Sequence, residues 1–454
     1  MTRGAPHHRS SWLGRLAAFS FGVVGGLLAT RVTLAAEPRP TSDTAEDELT
    51  SDTWREPEPP LEPHWELLRV PELAMRLVTT PLLPLVSFAE RHRLDQRTYD
   101  LLTNDEQTSL ILPIVSIATG DGVGAGVAYE HDDLFGGDEE LELKAVVKSN
   151  DDYKVRFGYA QKIVSLDGRM LGGQLENELD QNERFYGIGG RTRVGDLRLL
   201  ELATISARID FELGGPATDL ASFGSDMHFE YLRERLRAGR GDGIPAGGLG
   251  DEAPPPPGFD RALDYLELTW TFRHDLRDTA GRTSRGTLLE VDFYGASQLN
   301  GAGLNAARVT GRGAWFVPVA PRHRVLVFSA GAATATPWSE RSELPLHSLV
   351  TLGRSTYLRG YASSRFHDRA GWWASAEYRY PIFEFRDTGV GLSSTLFVDV
   401  GRVGRHAREL IEAPVRSAFG FGVRGETASD FILRTQFAFS EEGMQALFTL
   451  NDMP

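Results

Sequence analysis

From about residue 110 onward the chain alternates between apolar and polar residues, and this period of two continues almost to the C-terminus. The clearest segment is ATISARIDFEL, residues 203–213, in which Ala, Ile, Phe and Leu alternate with Thr, Ser, Arg, Asp and Glu. Successive side chains of a β-strand point to opposite faces, so the pattern predicts strands with one apolar and one polar face. We therefore expect this part of the chain to be all-β.

The predicted strands are numerous and long. Many span about 10 residues or more, whereas strands of soluble proteins average about 5–6 residues. A soluble β-sandwich also alternates, but long strands in this number favour a closed sheet, which pairs every backbone N–H and C=O inside a membrane. The sequence thus predicts an all-β fold, a 16-stranded antiparallel transmembrane β-barrel with its apolar face toward lipid and its charged face inside. The predicted strands lie near 110–118, 122–132, 139–149, 152–164, 170–181, 196–213, 225–237, 262–275, 286–298, 305–318, 322–336, 372–382, 391–403, 416–426, 430–440 and 444–451.

The composition fits a barrel and argues against several classes of function. The net charge of −15 argues against a nucleic-acid partner, which requires basic clusters. Cysteine is absent, so disulfides and cysteine metal sites are excluded. The sequence contains neither G-x-S-x-G nor H-E-x-x-H. We therefore expect no enzyme activity, no metal site and no cofactor.

The residues before the barrel fall into three segments. Residues 1–36 combine a basic start, an apolar run and small residues near Ala36, the order of a secretory signal peptide; the alternative is an uncleaved anchor. Residues 37–64 are acidic and proline-rich and read as a linker. Residues 65–105 are predicted to form a short helical segment, either periplasmic or plug-like, and residues 106–454 form the barrel. A signal peptide followed by a barrel indicates the outer membrane of a Gram-negative-type bacterium.

A long loop precedes the twelfth predicted strand, and it contains the stretch YLRGY, residues 357–361. Together with FVDVG (397–401), ERFYGIGG (183–190) and PIVSIATGDGVGAGVAY (113–129), this stretch resembles motifs of the BamA/TamA family of outer-membrane assembly and transport barrels, also called the bacterial surface antigen family. The resemblance implies a sixteen-stranded barrel in which the loop between strands 11 and 12 folds into the lumen. It covers about residues 105–454. The chain departs from the assembly members in leaving too few residues before strand 1 for a complete POTRA domain.

The resemblance also implies that the loop arginine meets acidic groups on the inner wall, and the alternation indicates which ones. If Ala376 and Val398 face lipid, Glu377 and Asp399 face the lumen on neighbouring strands. An arginine fork can bind a carboxylate through two hydrogen bonds. We therefore expect Arg359 to hold the loop inside the barrel; the alternative is an exposed loop arginine. The motif loop comprises Leu358, Arg359, Gly360 and Tyr361, with Gly360 predicted to permit a tight turn and with Glu377 and Asp399 as lumen partners.

The resemblance implies insertion or translocation of proteins at the outer membrane through a lateral seam between the first and last strands. Such a barrel would contact outer-membrane lipid and either unfolded outer-membrane proteins or a secreted partner. Pro113 in the first strand cannot donate a ladder hydrogen bond, which would weaken closure. The alternative function is a passive or gated channel without insertase activity, because a 16-stranded barrel can hold an aqueous pore.

Overall fold

The computed structural model describes residues 100–450 except 105, 107, 137–138, 164–168, 215–222, 240–254, 302, 321–323, 340–341, 355–356, 385–389, 407 and 427–430, together with Phe19–Ser20, Leu27–Leu28 and scattered single positions between 70 and 92. The predicted signal peptide, the linker and most of the helical segment lie outside these residues. Among the described residues, no helix has both the length and the apolarity needed to cross a membrane.

Sixteen antiparallel strands form one closed barrel, which confirms the predicted fold. Each strand pairs with its neighbour in sequence, and the last strand pairs with the first. The strands are β1 Ser109–Ala118, β2 Gly122–Asp132, β3 Glu140–Lys148, β4 Tyr153–Ile163, β5 Arg169–Phe185, β6 Arg198–Gly214, β7 Phe223–Ala238, β8 Arg261–Asp275, β9 Gly286–Gln298, β10 Asn305–Ala320, β11 Arg324–Thr336, β12 Ala370–Glu384, β13 Gly391–Gly404, β14 Arg416–Glu426, β15 Phe431–Ser440 and β16 Gly443–Leu450.

Seven further short elements among the described residues lie outside the barrel sheet. Two three-residue strands, Val350–Leu352 and Phe366–Asp368, pair with each other inside the loop between β11 and β12. Phe19–Ser20 pairs with Leu27–Leu28. The remaining elements are the 3-10 turns Val194–Asp196 and Leu346–Ser348 and the one-turn helix Glu409–Glu412.

The two faces of the strands differ as the alternation predicts. On β6 the outward residues Ile205 and Ile209 are about half exposed, as expected of side chains that face lipid. Inward carboxylates instead form ion pairs with cations on adjacent strands. Glu290 on β9 accepts hydrogen bonds at 2.8 Å from both Arg273 and Arg312. Cross-strand pairing of this kind offsets the cost of holding charge in a partly dehydrated lumen.

One part of the inner face is apolar, which the alternation did not predict. Leu110, Leu112 and Ile114 of β1 are buried and pack inward against Ala128 and Val146 of β2 and β3. The segment LILPIV is therefore apolar on both faces, with Ile111 about half exposed on the outer face. Leu102, which precedes the barrel, packs against this cluster.

The barrel closes through a short ladder between β16 and β1, which we call the seam. Among the described residues, the seam pairs only Leu447–Leu450 with Val115–Ala118. On its other side β1 pairs with β2 over its whole length, Ser109–Ala118. The seam is thus the least extensively paired junction that the described strands form with each other.

Candidate functional site

The loop between β11 and β12, residues 337–369, returns into the barrel and is called the lumen loop. Its motif side chains Leu358 and Tyr361 are almost fully buried. They join an apolar cluster with wall residues of three strands, Trp373, Val403 and Ala418. Burial of these side chains stabilises the loop inside the barrel by the ordinary hydrophobic effect.

Arg359 lies against Asp399 of β13. Its Nε donates to Asp399 Oδ2 at 2.9 Å, and its second guanidinium nitrogen donates to Oδ1 at 2.7 Å. The backbone N–H of Arg359 also donates to Oδ2, at 3.1 Å. The carboxylate of Asp399 is fully buried. Two parallel guanidinium bonds to one carboxylate fix both position and orientation, which a lysine could not do.

The same guanidinium reaches β12. One nitrogen donates to Glu377 Oε2 at 2.7 Å and another to Ser375 Oγ at 2.9 Å. Ser375 Oγ in turn donates to Asp399 Oδ1 at 2.8 Å. The ring of Phe397 lies 3.5 Å from the guanidinium carbon, so the cation also contacts an aromatic face. The structure therefore places Arg359 against both predicted carboxylates, and adds Ser375 and Phe397.

A wider network continues from Glu377. Its Oε1 accepts hydrogen bonds from Arg379 at 2.9 Å and from Arg424 of β14 at 3.1 Å. Arg424 is also paired with Glu426 on its own strand. We call β12–β14 with the bound Arg359 the docked wall. Because its charges are mutually paired and largely buried, removal of any one would leave another uncompensated.

Gly360 lies in a tight turn of the lumen loop, because the Tyr361 N–H donates to the Leu358 carbonyl at 3.1 Å. Its φ is not positive, so the turn itself does not require a glycine. The glycine is needed for space, because a Cβ there would lie 2.6 Å from the Ala418 Cβ and 2.9 Å from the Phe439 carbonyl oxygen. Ser440 Oγ donates to the Gly360 carbonyl at 2.7 Å, so the glycine lets the loop backbone contact the wall directly.

A buried histidine of the lumen loop is a further anchor, which the sequence reasoning missed. His347 Nδ1 lies 2.9 Å from Glu234 of β7, and Nε2 lies 3.0 Å from Glu267 of β8. Burial alone would lower the pKa of this loop imidazole, but the two carboxylates outweigh it and raise the pKa to about 10. His347 is therefore a cation at neutral pH.

Two buried arginines of the loop were also missed. Arg354 pairs with Asp121 in the β1–β2 turn. Arg365 pairs with Glu442 in the β15–β16 turn at 2.7 Å and lies between the rings of Tyr186 and Phe366. Loop residues follow no periodicity that indicates the direction of a side chain. The sequence offered one signal for these anchors: three arginines lie within a twelve-residue stretch of a loop that was predicted to enter the lumen.

The described residues contain no group of three or more His, Cys, Asp or Glu side chains placed to hold a metal ion. The acidic side chains of the site instead bind arginine and histidine cations of the loop. This arrangement can fix the loop across the barrel interior, with cations distributed over the docked wall, the β7–β8 wall and the rim turns beside the seam.

Residues 133–443 match the family model of the Omp85 superfamily domain. The chain belongs to the Omp85 superfamily. This superfamily comprises outer-membrane barrels of protein insertion and translocation, and the resemblance derived from the motifs is thereby confirmed. No curated protein sequence matches the chain significantly.

Solved structures with the same fold include BamA from Haemophilus ducreyi lacking POTRA domains 1–3, with a TM-score of 0.52 and 15% identity over 76% of this chain and 70% of that chain. CdiB from Escherichia coli has a TM-score of 0.51 and 11% identity over 77% of this chain and 63% of that chain. At these identities the likeness shows the fold alone.

Proposed function

We propose that this Omp85 barrel inserts or translocates proteins at the outer membrane of a Gram-negative-type bacterium through the seam between β1 and β16. Its partners would be outer-membrane lipid and either unfolded outer-membrane proteins or a secreted protein. The observation that carries the proposal is the seam ladder, which spans four residue pairs among the described residues. Few backbone hydrogen bonds need to break there before a strand edge is available.

An available edge is a template for another strand. A strand edge pairs with extended chains through its backbone N–H and C=O groups, so it accepts many sequences. Among the described residues, the β16 ladder extends to Val115 of β1, and β1 begins at Ser109. Once the seam has opened, a substrate strand could pair with the edge of β1 and extend the sheet.

The lumen loop supports passage at the seam in preference to passage through the barrel interior. His347, Arg354, Arg359 and Arg365 attach the loop to opposite parts of the wall. A polypeptide crossing the lumen would have to displace these buried ion pairs. Breaking one such pair typically costs about 3–5 kcal/mol.

The test is a folding assay in liposomes that contain the purified protein, with an unfolded outer-membrane barrel added as substrate. We expect faster folding than in empty liposomes and loss of this acceleration in Arg359→Ala. Arg285→Ala, at an exposed turn position, is the matched control. No acceleration, combined with a high steady ion conductance, would instead support a passive channel.

A further inference from the structure

One side chain of the lumen loop bonds to both strands of the seam. Arg354 donates to the Thr119 carbonyl, directly after β1, at 2.9 Å and to Gln445 Oε1 of β16 at 3.0 Å. Its other terminal nitrogen pairs with Asp121 in the β1–β2 turn. The Arg354 side chain is 3% exposed. A single buried guanidinium therefore joins the loop to both sides of the junction.

The contacts of Arg354 lie where the seam ladder ends. Thr119 N–H donates to the Ala446 carbonyl at 3.0 Å, and Ala446 N–H donates to Thr119 Oγ1 at 2.9 Å. Asp121 is held from two more directions, by Ser363 of the loop at 3.2 Å and by Arg184 of β5 at 3.4 Å. The β1–β2 turn is thus oriented to receive the loop arginine.

We propose that Arg354 is a bridge that keeps this end of the seam closed while the lumen loop is docked. The inference rests on the proposed function for its biological meaning and on the contacts of Arg354 for its geometry. Separation of β1 from β16 requires the guanidinium to leave either Thr119 and Asp121 or Gln445. Arg359 binds the docked wall only five positions further along the chain, so release of the loop from that wall would also release the bridge.

The bridge lies at one end of the described ladder, where Arg354 contacts Thr119 and Gln445. Arg354 acts as a positioning residue, since it holds the two strands and would not itself contact a substrate strand.

The experiment measures seam opening without any substrate. The chain has no cysteine, so a single Thr449→Cys places one thiol on the buried inner side of the seam, opposite Ser116. The protein is reconstituted in liposomes, and the rate of thiol modification by a water-soluble maleimide is recorded with and without Arg354→Ala. Loss of a buried charge-assisted bond should raise the open population, and hence the rate, roughly tenfold.

Two controls separate the bridge from general loosening. Arg285→Ala removes an exposed arginine in the turn between β8 and β9, and we expect it to leave the rate at Thr449→Cys unchanged. A thiol at Thr395→Cys, buried on β13 within the docked wall, should react equally slowly with and without Arg354→Ala. Gln445→Ala removes only the β16 side of the bridge, and it should accelerate modification less than Arg354→Ala does.

Equal rates in wild type and Arg354→Ala would overturn the bridge, as would equal acceleration at Thr395→Cys. If Arg354→Ala does not fold, the milder Gln445→Ala decides, and an unchanged rate there has the same meaning. The proposed function is judged separately by the folding assay. If Arg354→Ala increases thiol modification but the wild-type barrel does not accelerate substrate folding, the proposed bridge is supported and the proposed function is refuted.

Discussion

The docked wall and the seam are built from strands of the same alternating kind, yet they are held together very differently. At the docked wall β12 pairs with β13 from Ala370 to Glu384, and Arg359 adds a buried cross-link from the lumen side. At the seam the ladder spans four residue pairs within the part of the chain that the structure describes, and the cross-link is Arg354. The difference indicates that one side of the barrel is fixed by paired charge while the other is left able to separate.

The largest effect should come from removing the buried carboxylate of the docked wall. Asp399→Asn leaves the guanidinium of Arg359 without its two-point partner, and we expect the unfolding free energy to fall by about 3–5 kcal/mol. Urea unfolding of the reconstituted barrel measures this. Asp292→Asn, at a less buried inward carboxylate 3.6 Å from Arg312, is the matched control and should cost less than about 1 kcal/mol. Equal costs for the two variants would show that the docked wall has no special role.

A smaller effect should follow from closing the space beside Gly360. Gly360→Ala forces a methyl group to within 2.6 Å of the Ala418 Cβ, which should destabilise the docked loop by about 1–3 kcal/mol. The readout is the same urea unfolding, together with protease cleavage of the loop. Gly195→Ala has open space around its Cβ and serves as the control. A Gly360→Ala barrel as stable as the control would contradict the close contact between loop and wall.

The effect of removing the anchor at His347 should depend on pH. The pKa of this group is raised in the folded state from its ordinary value near 6.5 to about 10. A raised pKa means that the pairing with Glu234 and Glu267 contributes fully below about pH 6.5 and is lost as the pH rises through about 10. Thermal unfolding of wild type and His347→Gln between pH 6 and pH 11 should therefore give curves that converge at alkaline pH. Curves that stay parallel would show that His347 is not paired as a cation.

The alternation of apolar and polar residues predicted much of this architecture. Alternation alone placed Glu377 and Asp399 on the inner face, because a side chain's face is fixed by its position in a strand. The end of β5 was missed: the register shift between Asp180 and Glu183 interrupts the alternation, and the strand continues to Phe185 instead of ending near residue 181. Ser375 and Phe397 were also missed, although each stands two residues from a predicted partner and therefore on the same face.

The loop contacts could not be predicted in this way. Arg354, Arg365 and His347 lie in irregular backbone, where no period relates a residue number to a direction. Their partners stand roughly 80 to 230 positions away in the sequence. Only the folded barrel brings these groups together, so the coupling between the lumen loop and the seam becomes visible in the structure alone.

The most direct test of the account is to lock the seam with a reversible cross-link. Ser116 and Thr449 are directly opposite in the ladder, and paired antiparallel positions lie at Cα separations that a disulfide can span. The double variant Ser116→Cys/Thr449→Cys is compared in the liposome folding assay when oxidised and when reduced, with Ser116→Cys alone as the control. Oxidation should abolish the acceleration of substrate folding, and reduction should restore it. Undiminished acceleration by the oxidised barrel would contradict insertion through the seam.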